Sequence, residues 1–128
     1  MNTNNQATNT DTAVAYYHNM IEGNFDAMAD CLAEDILFIS PLAHLSDKTA
    51  IVEAATNMTK MLSNIEIRAK LGVNNQVMLA YDFHFIPPIG ALRAAVLMDF
   101  HQGLISRIEL FFDARPFEMK KDDIFTKK

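Results

Sequence analysis

The stretch Val-Met-Leu-Ala-Tyr-Asp-Phe-His-Phe (77–85), Ile-Pro-Pro-Ile-Gly (86–90), Ala-Leu-Arg-Ala-Ala-Val-Leu-Met-Asp-Phe (91–100) decides how the chain folds. Two alternating runs flank a turn rich in Pro and Gly, the pattern of a long β-hairpin. Successive side chains of a strand point to opposite faces. Val77, Leu79, Tyr81, Phe83 and Phe85 therefore share one face of the first arm, with Met78, Ala80, Asp82 and His84 on the other. In the second arm Leu92, Ala94, Val96, Met98 and Phe100 form the apolar set, opposite Arg93, Ala95, Leu97 and Asp99. A sheet with one large aromatic face has to be covered, and the remaining segments supply the cover.

Before the hairpin the pattern is mostly helical. Residues 1–9 are polar and Asn-rich, which predicts a disordered tail. Thr10 or Asp11 can cap a first helix whose stripe is Ala13, Tyr16, Tyr17 and Met20, and Gly23 can end it. Phe25 to Leu32 reads as a short second helix, and Asp35 to Ser40 as a strand broken by Pro41. Ser46 or Asp47 caps a third helix running to about Leu62, with Ile51, Ala55, Met58 and Leu62 inward. Ile65, Ile67, Ala69, Leu71 and Val73 alternate with Glu66, Arg68 and Lys70, which predicts a half-buried strand. Leu104 to Asp113 is the last strand, with Ile108, Leu110 and Phe112 on the inner face, and Arg115-Pro116 ends it. The fold class is therefore α+β: a curved sheet, largely antiparallel, wrapped around three helices from the first half of the chain to make a cone with an apolar interior. One domain is expected over residues 10–117, followed by a charged tail at 118–128.

The totals narrow the function classes. The chain has 128 residues, half of them hydrophobic, and a formal charge of −5. That charge argues against a nucleic-acid surface, which needs clustered Lys and Arg. No apolar run approaches the roughly 20 residues of a membrane span, and the N-terminus lacks the features of a signal peptide. Cys31 is the one cysteine, so no intrachain disulfide can form, and a cytoplasmic location is expected. No His and carboxylate spacing suits a metal and no Gly-rich phosphate loop is present, so neither a metal nor a cofactor is expected.

The order of elements resembles the nuclear transport factor 2 fold. The residues from Tyr16 to Pro41, with Gly23-Asn-Phe-Asp-Ala and then Leu32-Ala-Glu-Asp, are similar to the start of ketosteroid isomerases and SnoaL-type polyketide cyclases. Asp47-Lys-Thr-Ala-Ile matches the usual start of the third helix, and Gly103 to Asp113 the usual last strand. The resemblance spans residues 11 to about 117 and implies a fold that hosts isomerases, cyclases, dehydratases, hydrolases and non-catalytic binders. Tyr16 stands where the isomerases keep an oxyanion-hole tyrosine. Ser40 stands where their carboxylate base should be, and Val96 where a protonated Asp donates to the oxyanion, a case the isomerase family itself exemplifies. Isomerisation by that mechanism is therefore not expected.

Two readings of function follow. In the first, the cone binds a mostly apolar molecule and acts on it by isomerisation, cyclisation or dehydration, without a cofactor. Tyr16 polarises a carbonyl, or else is a core tyrosine bonded to backbone. Asp113, at the end of the last strand, moves a proton with a raised pKa, or else is a turn residue beside Arg115. Ser40 and Tyr81 orient the ligand, and Tyr17, Met20, Phe38, Met58, Leu79, Phe83, Leu92, Val96, Met98 and Phe112 line the walls. His84, Arg93, Asp82 and Asp99 would form a charged centre if a β-bulge turned them inward, and His44 lies in the loop near the entrance. In the second reading the protein is a non-catalytic binding or association module, with the cone filled by its own side chains and the convex sheet used for partners. A connected cavity of about 300 Å³ or more with polar groups favours the first, and a packed interior the second. In either reading Ala95, Leu97 and Phe111 on the convex face suggest a homodimer.

Overall fold

A computed structural model describes residues 2–117, with side chains from residue 8 onward. The tail expected at 118–128 lies outside the described residues. The chain runs α1 (Asn2–Glu22), α2 (Phe25–Asp30), β1 (Leu32–Ile39), β2 (His44–Leu45), α3 (Lys48–Thr59), β3 (Leu62–Val73), β4 (Gln76–Phe85), β5 (Ala91–His101), β6 (Leu104–Phe112) and a 3₁₀ turn, η1 (Arg115–Phe117). The six strands form one sheet in the order β2-β1-β6-β5-β4-β3. It is mixed, because β1 runs parallel to β6 while every other neighbouring pair is antiparallel.

α1 begins at Asn2, ahead of the Thr10 or Asp11 cap expected, so residues 2–9 extend the helix instead of forming a separate tail. Asn9 is buried one turn before Ala13 and lengthens the inward stripe, and adding residues to a helix already nucleated costs little. Ala13, Tyr16, Tyr17 and Met20 are all buried, as their spacing requires. Gly23 (φ 79°) ends the helix, with its N–H donating to the Met20 carbonyl at 3.2 Å and Asn24 N–H to that of Asn19 at 2.8 Å. The Asp47 carboxylate caps α3 by accepting from Thr49 N–H at 3.2 Å. α3 is three residues shorter at its C-terminal end than expected, and Leu62 opens β3.

The hairpin faces follow the alternation. Val77, Leu79, Tyr81, Phe83 and Phe85 are buried, as are Leu92, Ala94, Val96, Met98 and Phe100. β3 departs from it. Ile67 pairs with Tyr81 but Ala69 pairs with Ala80, so Arg68 is an extra residue, a β-bulge. Beyond it every side chain changes face. Lys70 pairs with inward-facing Leu79, and Leu71 and Val73 pair with Met78 and Gln76 on the convex side. Leu71 is therefore 66% exposed and Val73 62%, against the burial that simple alternation predicts. A similar slip in β6 at Ser106 lets Ile105 and Ile108, three residues apart, both face the core.

Ile108 is fully buried where β6 passes between β1 and β5. Ile108→Ala should cost about 2–5 kcal/mol of stability, read as a lower urea midpoint at unchanged slope.

Candidate functional site

α1 rests on β3 and β4, and α3 stands over β1. Between the two helices and the concave sheet lies a partly open cavity of about 70 Å³. At roughly 10–15 Å³ per water position, it has room for a handful of waters or a molecule of a few heavy atoms. It falls well short of the 300 Å³ of an ordinary ligand pocket. Tyr16, Tyr17 and Met20 come from α1, and Ile51, Ala54, Ala55 and Met58 from α3. Phe38, Ser40, Phe83, Leu92 and Phe112 supply sheet-side walls as their alternation places them.

Three residues expected on the walls, and Tyr81, expected to orient the ligand, are elsewhere. Leu79, Tyr81, Val96 and Met98 face the correct side and are fully buried, but they do not line the cavity. Leu79 and Tyr81 lie on β4, against which α1 rests, and Tyr81 bonds to Tyr17, while the cavity draws walls from β1, β6 and α3. Leu42, Leu45, Phe85, Leu110 and Phe117 line it as well. Phe117 was not anticipated. It follows the strand-ending Pro116, and its ring folds back onto Phe85 (centroids 5.1 Å) and Phe112 (5.7 Å) at the cavity wall. An aromatic residue just after a strand-breaking proline was the available signal.

The polar groups at the cavity are few. Ser40 Oγ donates to the Ala43 carbonyl at 3.2 Å and accepts from the N–H groups of Leu42 and Ala43 at 3.2 and 3.1 Å. Its hydroxyl therefore closes the turn after β1, the local bonding that such a residue favours. The hydroxyls of Tyr17 and Tyr81 share a hydrogen bond of 2.7 Å. Tyr16, edge-on to Tyr17 with ring centroids 4.9 Å apart, has no hydrogen-bond partner for its hydroxyl among the described residues. Burial raises the pKa of Tyr16 and Tyr17 well above the usual phenol value. It raises that of Tyr81 too, against a smaller opposing effect of the bond to Tyr17. Near neutral pH all three are hydrogen-bond donors and none is a base.

Asp113 does not fill the role expected of it. It lies outside the cavity, and Arg115 two residues on curls back to bind it, Nε at 2.9 Å and Nη2 at 2.6 Å, with the Arg115 N–H at 3.1 Å. These bonds lower its pKa to about 2, the reverse of the raised value a proton shuttle needs. The turn reading of Asp-Ala-Arg is the one the geometry realises. His44 pairs with Ile39 in the two-residue strand β2 and is exposed, instead of lying in a loop.

His84, Arg93, Asp82 and Asp99 stand on the convex face, because the hairpin has no bulge that would turn them in. His84 Nε2 is 3.2 Å from Glu66 Oε1, and Asp82 Oδ1 is 3.7 Å from Arg68. Glu66, Asp82 and His84 bring three potential metal-ligand atoms within 4.8 Å of one another, the one such group among the described residues. Those ion pairs account for the grouping, which lies across the sheet from the cavity. Burial raises the Cys31 pKa, in keeping with a packing role.

A model of the SnoaL-like domain matches residues 13–108. A search of curated protein sequences finds no match. Among solved structures, a protein from Kribbella flavida DSM 17836 superposes with a TM-score of 0.79 at 24% identity, covering 86% of this chain and 90% of its own. A second from the same organism, provisionally described as a ketosteroid isomerase, gives 0.72 at 14% identity over 84% and 79%. A Sinorhizobium meliloti protein, provisionally described as a polyketide cyclase, gives 0.73 at 17% over 79% and 94%. At these identities the likeness is one of fold.

All three tyrosines of the chain are buried. No tyrosinate absorbance should develop near pH 10, where a free phenol titrates, until the fold opens. Folded-state pKa values above the unfolded value leave stability flat below about pH 10 and erode it above. The loss is up to about 1.4 kcal/mol per pH unit per phenol, because only the unfolded chain releases those protons. Spectrophotometric titration alongside alkaline unfolding checks both, and one tyrosine titrating near 10 in the intact fold would contradict the packing described.

Proposed function

The chain belongs to the SnoaL-like domain family, and on that premise we propose that its cavity binds a small, uncharged, mostly apolar molecule with one hydrogen-bond acceptor, such as a carbonyl. The observation that carries this reading is the Tyr16 hydroxyl, without a protein partner at the wall of an apolar cavity. A hydrogen bond from this phenol to a ligand oxygen would contribute about 1 kcal/mol. The lining residues include no carboxylate, imidazole or amine, so an ion has no counter-charge there.

Binding is favoured over proton-transfer catalysis. The two phenols on the wall stay protonated, Ser40 Oγ is committed to the β1 turn, and Val96 is packed away from the cavity. Of the isomerase and cyclase chemistry for which structural neighbours are described, this cavity can supply the polarising donor but not the base. A second reading, association through the convex sheet, draws on a different observation. Leu71 (66% exposed), Met78 (41%) and Phe111 (47%) are exposed on that face. Cross-strand pairing sets Leu71 beside Met78 and Leu97, and Ala69 beside Ala80, Ala95 and Phe111. Charges of both signs flank this strip, Glu66, Asp82 and Arg93 on one side and Asp99 and Arg107 on the other, as at the polar rim of an interface. The two readings are compatible, since they use opposite faces.

Cyclohexanone should bind more tightly than cyclohexane, and Tyr16→Phe should remove most of that preference, about tenfold for one hydrogen bond in a dry site. Ligand-observed NMR measures both, and a preference that survives in Tyr16→Phe would sink the assignment. For the convex face, light scattering should give a dimer mass that falls to the monomer in Leu71→Glu/Phe111→Glu; a monomeric wild type would dispose of the association reading.

A further inference from the structure

A larger opening lies outside the cone. α1 and β3 border a groove of about 380 Å³, open to solvent along one side and within the size range of small-molecule sites. Val14 and Ile21 from α1, with Ile65 and Ile67 from β3, give it apolar walls. His18, Arg68 and Lys70 also line it, and no carboxylate does, in a chain whose net charge is −5. We infer that this groove binds a small amphipathic carboxylate, an acyl chain along the apolar walls with its anionic end among Arg68, Lys70 and His18.

Lys70 reaches the groove because of the bulge. Without the extra residue at Arg68, alternation would send Lys70 to the convex face. Its pairing with Leu79 instead puts it on the helix side of the sheet. Arg68 remains half exposed, with a loose contact to Asp82 at 3.7 Å that leaves most of its five N–H donors available. The occupant is a small molecule and not an added peptide strand. β3 is the edge of the sheet, but the bulges at Ser63 and Arg68 interrupt the regular ladder an added strand would need. The site is separate from the cone, with Tyr17 forming part of the wall of each.

Decanoate is the probe, with decanol as its uncharged counterpart. Decanoate should bind saturably and at least about tenfold more tightly than decanol, with a preference that shrinks as salt rises. Lys70→Gln should lower decanoate affinity about fivefold, and Lys70→Glu by more. Methyl NMR should place the perturbations on Val14, Ile21, Ile65 and Ile67. Equal binding of decanol and decanoate, unchanged affinity in both Lys70 variants, or perturbations centred on Met58 and Leu110 would each overturn the inference. The last outcome would move the ligand into the cone. Failure of the Tyr16 test above leaves this one untouched, since the two use different probes and different side chains.

Discussion

The hydrogen bond between the hydroxyls of Tyr17 and Tyr81 holds α1 against β4, one strand in from the edge of the sheet. Both groups are buried, so separating them without water would leave two unsatisfied phenols in an apolar interior. The bond therefore fixes the position and rotation of α1 along β4. From it a chain of ring contacts runs through Phe83 and Phe85 to Phe117 and Phe112. Those contacts hold the turn after β6 under the sheet's open end. Phe83, Phe85, Phe112 and Phe117 of this aromatic row line the cavity together with residues of α1 and α3.

Much of the fold was legible in the sequence because period-2 and period-3.6 patterns are strong in the segments that are buried on one side. The two faces of β4 and β5, the α1 stripe and the Asp47 cap all follow from local chemistry. Three features were not legible. An extra residue at Arg68 leaves no mark in composition, yet it reverses Lys70, Leu71 and Val73. Asp113 looked like a site carboxylate at the mouth of the cone, and only the return of the Arg115 side chain shows that it is spent locally. Leu79, Tyr81, Val96 and Met98 share a face with Phe83 and Leu92, but which of them meets a helix and which meets space depends on where α1 lands. Periodicity specifies a face and says nothing of what stands opposite.

The chemistry proposed for the site is recognition by shape and a single donor. Family membership and the resemblance to isomerase and cyclase folds say how the frame is built, and the side chains on the frame decide what it can do. Phenols held protonated by burial can polarise a bound oxygen but cannot take a proton from carbon. The groove outside has the opposite character, wet and cationic. The two openings would accept different molecules, one neutral and compact, the other charged and elongated.

The parallel pairing of β1 with β6 has a consequence for how the molecule is made. Residues 32–39 pair with residues 105–109, so β1 has only the two-residue β2 beside it until β6 is made. Until then Phe38 and Leu110 cannot enclose anything, and the edge of β1 stays open while β3, β4 and β5 are already able to pair in succession. Contacts so distant along the chain slow folding. The vulnerable interval is therefore the one before β6 has been made, when the open β1 edge can mispair with another chain.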